Sequence, residues 1–237
     1  MVRASRDVGG SVRLDDVRST PLVTLRRAAG SVYMVGGAAT PLGGDHASLA
    51  LDVDDGAILR IRSVAAAVAR PGPHGAPARF TVRARVGRDA MLRWEPEPGV
   101  AAAGCDVTTE AYIDLAPGAR LWWRDELVLG RCAEAPGRWS SYLHVDRDGL
   151  PLLRHHVVLG GSTADGCGPA IAGSRRAVAS LLTVGAAHRP RVVHHAQGHA
   201  AVLPLAGGDA ALVSAMAVNH PALRVVLDDA AGPAPVG

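Results

Sequence analysis

The sequence predicts a mostly-β protein of stacked antiparallel hairpins or β-sheets, arranged as a β-helix-like stack or a sandwich, with one or two short helices near the C-terminus. Apolar and polar residues alternate in short runs, which is typical of half-buried strands. The 28 glycines and 16 prolines among 237 residues leave little room for long helices. Hydrophobic residues make up 48% of the chain and aromatic residues only 3%, so aliphatic side chains must fill most of the core.

Four segments share the pattern of a short strand, a tight turn and a second strand. Their turns contain Gly56, Gly87, Gly118 and Gly149. A glycine between two alternating runs is a hairpin signal, because glycine accepts the positive φ that tight turns require. The turns recur about every 30 residues, which predicts stacked hairpin units. An ordinary antiparallel meander remains the alternative.

We expect a single domain over residues 1–237. Its parts are N-terminal strands over 1–31, a hairpin array over 32–159, C-terminal strands and a helix over 160–229, and a disordered tail over 230–237. The glycine-rich residues 160–173 are expected to form a loop. Asn219 or His220 can cap a helix that has Pro221 in its first turn. This helix is predicted to run to about Asp229.

Composition excludes several classes of enzyme. All 25 basic residues are arginine, so the chain has no lysine for a phosphate-binding loop, a Schiff base or a general base. The sequence also has no GxSxG, HExxH, CxxC or GxGxxG motif. We therefore predict that the protein is not an enzyme. A hydrolase that uses His199 or His156 with a nearby carboxylate is kept as a rival hypothesis.

The chain carries no recognisable targeting or membrane segment. Residues 1–10 are polar and lack the apolar stretch of a signal peptide, and no run of 18 apolar residues occurs. Cys105, Cys132 and Cys167 are far apart, as expected in a reducing compartment. The arginines are scattered and aromatic residues are scarce, which argues against nucleic-acid binding. The prediction is a cytoplasmic protein without nucleic-acid or membrane partners.

Histidine and carboxylate pairs are the candidate metal ligands. His195 and His199 are four residues apart and are expected to share a face of a strand, which makes them a weak candidate metal site. Imidazole and carboxylate ligands suit transient handling of a borderline metal such as nickel, without a tightly bound cofactor. Asp125 and Glu126 follow two tryptophans on a predicted strand and are the most interesting carboxylate pair.

A series of short segments in fixed order spans residues 32–159. The segments are Val32-Tyr33-Met34-Val35, Pro41-Leu42-Gly43-Gly44-Asp45, Leu49-x-Leu51-x-Val53, Leu92-x-Trp94-x-Pro96, Leu115-Ala116-Pro117-Gly118-Ala119, Asp125-x-Leu127-x-Leu129-Gly130-Arg131 and Arg147-Asp148-Gly149-x-Pro151-Leu152. Together they resemble the UreD family of urease accessory proteins, also called UreH. Residues 62–68 and 97–102 depart from the family pattern, which indicates a divergent branch.

The resemblance implies a function in urease maturation. A family member is expected to bind apo-urease, to recruit the accessory protein UreF and the GTPase UreG, and to pass nickel through a polar internal passage. The resemblance also implies a set of motif or passage residues, which are Gly43, Gly44, Asp45, Asp125, Glu126, Gly130 and Arg131. Asp45 either caps its turn or faces the passage, and the cap is favoured. The alternative function is a generic β-rich domain that binds a protein or ligand and has no metal role.

Overall fold

The computed structural model describes residues 1–6, 12–28, 30–36, 41–161 and 172–232. Within these ranges the chain forms strands, a short 3-10 turn at Pro73–Gly75 and the α-helix α1, His220–Ala231. The strands are β1 Val2–Arg6, β2 Val12–Val17, β3 Val23–Ala28, β4 Ser31–Gly36, β5 His46–Val53, β6 Ile58–Ser63, β7 Ala67–Ala69, β8 Ala78–Val86, β9 Met91–Glu95, β10 Gly99–Ala101, β11 Asp106–Leu115, β12 Arg120–Val128, β13 Arg138–Arg147, β14 Leu150–Leu159, β15 Ala177–Val184, β16 Arg191–His195, β17 Gly198–Pro204 and β18 Ala210–Ala217.

Two sheets face each other across the core. Sheet A has the strand order β14-β13-β11-β8-β5-β1-β2. Sheet B has the order β16-β17-β18-β15-β12-β9-β6-β4-β3, and the short strands β10 and β7 extend it from β12. The predicted fold class, mostly β with stacked sheets and a helix near the C-terminus, is confirmed.

The strand pairing within the stack differs from the predicted hairpins. β5 and β6, β8 and β9, and β11 and β12 are each joined by a tight turn, but the first strand of each pair lies in sheet A and the second in sheet B. Each strand pairs in parallel with its equivalent in the next unit, so that Leu49 lies beside Val82 and Val82 beside Ala111. The stacked units are therefore coils of a β-solenoid, and the predicted antiparallel pairing across these three turns is wrong.

The turns stack as well, which explains why the sequence pattern looks like a hairpin. The Gly56 amide donates to the Arg88 carbonyl (2.7 Å), and the Asp89 amide donates to the Pro117 carbonyl (3.3 Å). Glycine supplies the positive φ at Gly56 (66°) and at Gly118 (73°). A turn between sheets and a turn within a hairpin thus need the same local residues, while the partner of each strand comes from the next coil.

The fourth unit is a true hairpin, and antiparallel pairing dominates from there to the C-terminus. β13 and β14 pair antiparallel across the turn at Asp148 and Gly149, whose φ values are 54° and 76°. β15 pairs antiparallel with β12 and β18, and β17 joins β18 to β16. The antiparallel strands widen sheet B to β16, whereas sheet A ends at β14.

The helix α1 covers the outer face of sheet B. The Asn219 side chain accepts a hydrogen bond from the Ala222 amide (2.9 Å), and Gly232 ends the helix with a φ of 72°. Leu223, Val226 and Leu227 pack in a second core on the outer face of β15–β18. The predicted cap and start are present, but the helix extends through Ala230, which is buried, to Ala231. The predicted tail therefore begins too early, because Ala230 completes the apolar face of α1.

Two of the predicted segments lie mainly outside the described residues. These are residues 162–171 of the expected loop and residues 233–237 of the expected tail. In the part of the chain that the structure describes, no helix is long and apolar enough to cross a membrane.

Candidate functional site: a cavity between the two sheets

A cavity of about 470 Å³ lies between the inner faces of sheets A and B. Its lining includes residues of β4 and β5 at one side of the stack and residues of β14 and β18 at the other, so the cavity crosses successive coils of the solenoid. Polar residues of both sheets are part of this lining, among them Thr109, Ser141 and His155 of sheet A and Asp125, Ser180 and Ser214 of sheet B. The cavity is thus an internal space with hydrogen-bonding groups along its length.

Asp125 is one of the acidic residues that line this cavity. It lies on β12, where Ser180 of β15 and then Ser214 of β18 continue the same row of inner-face positions. The carboxylate accepts hydrogen bonds from the indole N–H groups of Trp123 (2.8 Å) and Trp94 (3.3 Å). The two indole rings are stacked, with centroids 4.6 Å apart and planes within 4°. Two aromatic donors therefore hold one carboxylate in place.

The surroundings of Asp125 favour its protonated form. Burial raises the pKa of the Asp125 carboxyl, the indole hydrogen bonds oppose that rise, and the nearby Glu126 charge adds to it. No basic side chain is among the causes that act on this carboxyl. A carboxylate that faces a cavity and has no basic partner among the residues that the structure describes is a group that a bound cation can stabilise.

Glu126 belongs to the opposite face of β12, although it follows Asp125 in the chain. Adjacent residues of a strand point to opposite faces, so the sequence pair does not form one acidic site. The Glu126 carboxylate has no exposed surface and lies 2.5 Å from His220 Nε2, 3.1 Å from Arg124 Nε and 3.2 Å from Arg224 Nε. Arg224 also reaches Glu97 at 3.1 Å. Glu126 borders the cavity, but its carboxylate anchors the first turns of α1.

The glycine-rich motif near residue 43 shapes one end of the cavity. A Cβ at Gly43 would lie 2.2 Å from the Ala76 carbonyl oxygen, so only glycine fits this contact. Gly44 has a φ of 94°, in the region that glycine accepts. Asp45 accepts a hydrogen bond from the Leu42 amide (2.9 Å) and also lines the cavity. Asp45 therefore both caps its turn and forms part of the cavity wall.

Gly130 and Arg131 form a tight turn after β12 and do not line the cavity. Gly130 has a φ of 76°, and a Cβ there would lie 2.7 Å from the Glu134 carbonyl oxygen. The Arg131 guanidinium pairs with the Glu134 carboxylate at 2.9 and 2.7 Å. Arg131 lowers the pKa of Glu134 to about 2 through these hydrogen bonds. This pair is exposed, and we assign it a structural part in the turn.

The C-terminal histidines are divided between the two faces of sheet B. His194 of β16 is paired directly with His199 of β17, and their ring centroids are 6.4 Å apart. His195 is paired with Gly198, on the other face, and its Nε2 lies 3.0 Å from Asp229 of α1. The expectation that His195 and His199 share a face is therefore wrong, because the two-residue turn sets a register that places His194 opposite His199.

The remaining candidate catalytic groups are His156 and the cysteines. The His156 ring, which the hydrolase hypothesis names, stacks on the Tyr142 ring with centroids 3.9 Å apart. Cys105 and Cys132 are free, and burial raises the pKa of the Cys105 thiol to about 11, so that thiol is protonated at neutral pH. Cys167 lies outside the described residues. Among the residues that the structure describes, no three His, Cys, Asp or Glu side chains form a metal-binding group.

The functional residues that the sequence did not single out are those that depend on distant neighbours. Trp94 is 31 positions from Asp125, and His220 and Arg224 are 94 and 98 positions from Glu126. Side chains alternate between the two faces of a strand, and this rule already places Asp125 and Glu126 on opposite faces from the sequence. No local pattern indicates which helix residues meet Glu126.

The described residues form a β-solenoid with a partly polar internal cavity and one covering helix. The family model described as UreD urease accessory protein matches residues 1–231 of the chain. The chain is 41% identical to urease accessory protein UreD of Streptomyces coelicolor, over 97% of this chain and 93% of that protein. It is 39% identical to UreD of a Parafrankia species, over 98% of this chain and 89% of that protein.

A third relative, UreD of Frankia casuarinae, is 37% identical over 99% of this chain and 88% of its own length. Because both the family model and these relatives cover nearly the whole chain, the chain belongs to the UreD family of urease accessory proteins. The resemblance seen in residues 32–159 thus extends through the C-terminal strands and α1.

Proposed function

We propose that this chain binds apo-urease, recruits UreF and UreG, and lets nickel cross its interior on the way to the urease active site. Membership of the UreD family supports a function in urease maturation. The observation that carries the passage is the cavity itself, which crosses the coils from β4 to β18 with Asp125 near its middle. Nickel is the cargo in this proposal and is not a resident cofactor.

The chemistry of the cavity suits an ion in transit. Asp125 offers a carboxylate, and Ser180 and Ser214 offer hydroxyl oxygens in the same row. Carboxylate and hydroxyl oxygens can replace water around a divalent cation, but three of them in one row of sheet B do not enclose it. The cavity would therefore lower the barrier to passage without trapping the ion, which is the balance that conduction requires.

A complementation experiment tests the proposal. Cells that express urease but lack this chain should have little urease activity, and the chain should restore it. Asp125→Asn removes the carboxyl group that a passing cation would ionise and bind, with little change in size, and should restore much less activity. Asp148→Asn is the matched control, because Asp148 is an exposed turn residue whose left-handed conformation asparagine tolerates. Equal activity of both variants would contradict a passage through Asp125.

Co-purification tests the partners separately from the passage. A tagged copy of the full chain should retain UreF and apo-urease on an affinity column, with UreG added to the lysate. Asp125→Asn should retain the same partners, since Asp125 lies inside the molecule and not on its surface. A chain that retains neither UreF nor apo-urease would contradict the proposed function and favour a generic β-rich binding domain.

A further inference from the structure

One end of the cavity lies at the edge of sheet A. On the sheet A side the lining ends with His155 and Val157 of β14, which is the last strand of that sheet. On the sheet B side it ends with Ser214 and Met216 of β18. Sheet B continues beyond β18 with β17 and β16, so the inner faces of these two strands extend past the edge of sheet A.

The inner face of β17 and β16 is open, as this geometry requires. Leu203 is paired with Leu212 of the central core. Val192 is paired with Ala201, which is in turn paired with the cavity residue Ser214. Both Leu203 and Val192 therefore occupy inner-face positions, yet they are 48% and 61% exposed. The surface that β17 and β16 form beside this end of the cavity is therefore partly open to solvent at Leu203 and Val192.

A row of metal-binding side chains follows the same direction. Met216 of β18 is paired with His199 of β17, and His199 is paired with His194 of β16. Directly paired residues on neighbouring strands share a face and have Cβ atoms about 5 Å apart. One thioether and two imidazoles therefore lead from the wall of the cavity to the exposed edge of sheet B.

We propose that His194 and His199 form a binding site for a borderline divalent cation at the β14 end of the cavity, with Met216 between this site and the interior. Imidazole nitrogen is a preferred ligand of nickel, zinc and copper, and the thioether adds a softer ligand. Metal–nitrogen bonds are about 2 Å long, so rings with centroids 6.4 Å apart can hold one ion between facing nitrogens. His194 is exposed and has room to turn towards it.

The site is built to release its ion as well as to bind it. Only two imidazoles converge, so water must complete the coordination. Arg175 is close enough to act electrostatically on His199, and its positive charge opposes tight binding of a cation. The inference rests on the proposed function for its physiological cargo, but the binding site can be tested on the isolated chain.

Nickel titration of the full-length chain tests the site. Calorimetry with NiCl₂ should show a binding event that His194→Ala and His199→Ala each weaken at least about tenfold, since even outer contacts of a metal ligand affect affinity by that much. His46→Ala is the matched control, because His46 is an exposed strand histidine at the start of β5, in the other sheet. Unchanged nickel affinity in both His194→Ala and His199→Ala would overturn the proposal.

A second readout does not depend on the affinity of the variants. In NMR spectra of the unsubstituted chain, Ni²⁺ should broaden the ring signals of His194 and His199 before those of His46 and His195. Broadening that starts at His46 or His195 would also overturn the site. Circular dichroism of each variant confirms that the fold is retained.

The urease assay separates failure of this site from failure of the proposed function. If the chain restores urease activity and neither histidine affects nickel binding, the proposed function stands and this site is wrong. If nickel binds the histidine pair but the chain restores no urease activity, the site stands and the proposed function is wrong.

Discussion

The two faces of β12 place neighbouring carboxyl groups in different surroundings. On the inner face, Asp125 accepts hydrogen bonds from two indole N–H groups, and burial raises its pKa. On the outer face, Glu126 has no exposed surface but lies within 3.2 Å of three basic side chains. The difference teaches that burial by itself does not define a functional carboxylate. Glu126 contacts three basic side chains and fixes α1, whereas Asp125 faces the cavity and has no basic partner within the described ranges.

The sharpest way to break this comparison is to neutralise Glu126. Glu126→Gln should lower the free energy of unfolding by about 1 to 3 kcal/mol, because it leaves three partly buried basic side chains without their carboxylate. Urea denaturation at pH 7 measures the change. The control is Glu134→Gln, which breaks an exposed pair and should cost less than about 1 kcal/mol. Similar costs for the two variants would mean that the Glu126 contacts do not anchor α1.

The adjacent tryptophans provide a second test of the two faces. Trp123→Phe should lower the free energy of unfolding by about 1 to 2 kcal/mol more than Trp122→Phe, because only the former removes a hydrogen bond to a carboxyl group. Trp122 lies on the outer face, and its buried indole nitrogen has no hydrogen-bond partner among the described residues. Both variants remove a similar volume, so the difference in denaturation midpoints isolates the indole–Asp125 contact. Equal costs would contradict the assigned part of Trp123.

The pH dependence of stability sharpens the comparison further. A carboxyl group whose pKa is higher in the folded state stabilises the fold most at pH values below its unfolded-state pKa of about 3.9. This stabilisation is lost as the pH rises through the folded-state pKa. The free energy of unfolding of the Asp125→Asn variant should therefore increase relative to that of the unsubstituted chain as the pH rises above about 4. Urea denaturation at several pH values measures both chains. A difference that is constant with pH would mean that Asp125 has an ordinary pKa.

The smallest effect is expected at the turn that follows β12. Arg131→Ala should change the free energy of unfolding by less than about 1 kcal/mol, because its partner Glu134 is held at the surface, where water screens the pair. Thermal unfolding measures the change, and urease activation by the variant should match that of the unsubstituted chain. Loss of activation with unchanged stability would show that Arg131 contacts a partner protein.

Much of the cavity was visible in the sequence, but its arrangement was not. The motif residues Asp45 and Asp125 line the cavity, as the resemblance to the family implied for passage residues. Gly130 and Arg131, from the same motif as Asp125, form a turn because β12 ends there. The histidine pair was missed by one position, since the register of the hairpin between β16 and β17 decides which ring meets His199.

The sequence by itself determined the strand content, the positions of the tight turns, the cap of α1 and the absence of known catalytic motifs. These features depend on residues within a few positions of one another, through alternation, glycine conformations and capping hydrogen bonds. Only the tertiary structure decided that three of the turns join different sheets and that β5, β8, β11 and β13 pair in parallel. Parallel pairing joins residues about one coil apart, and no local pattern records which distant strand completes a ladder.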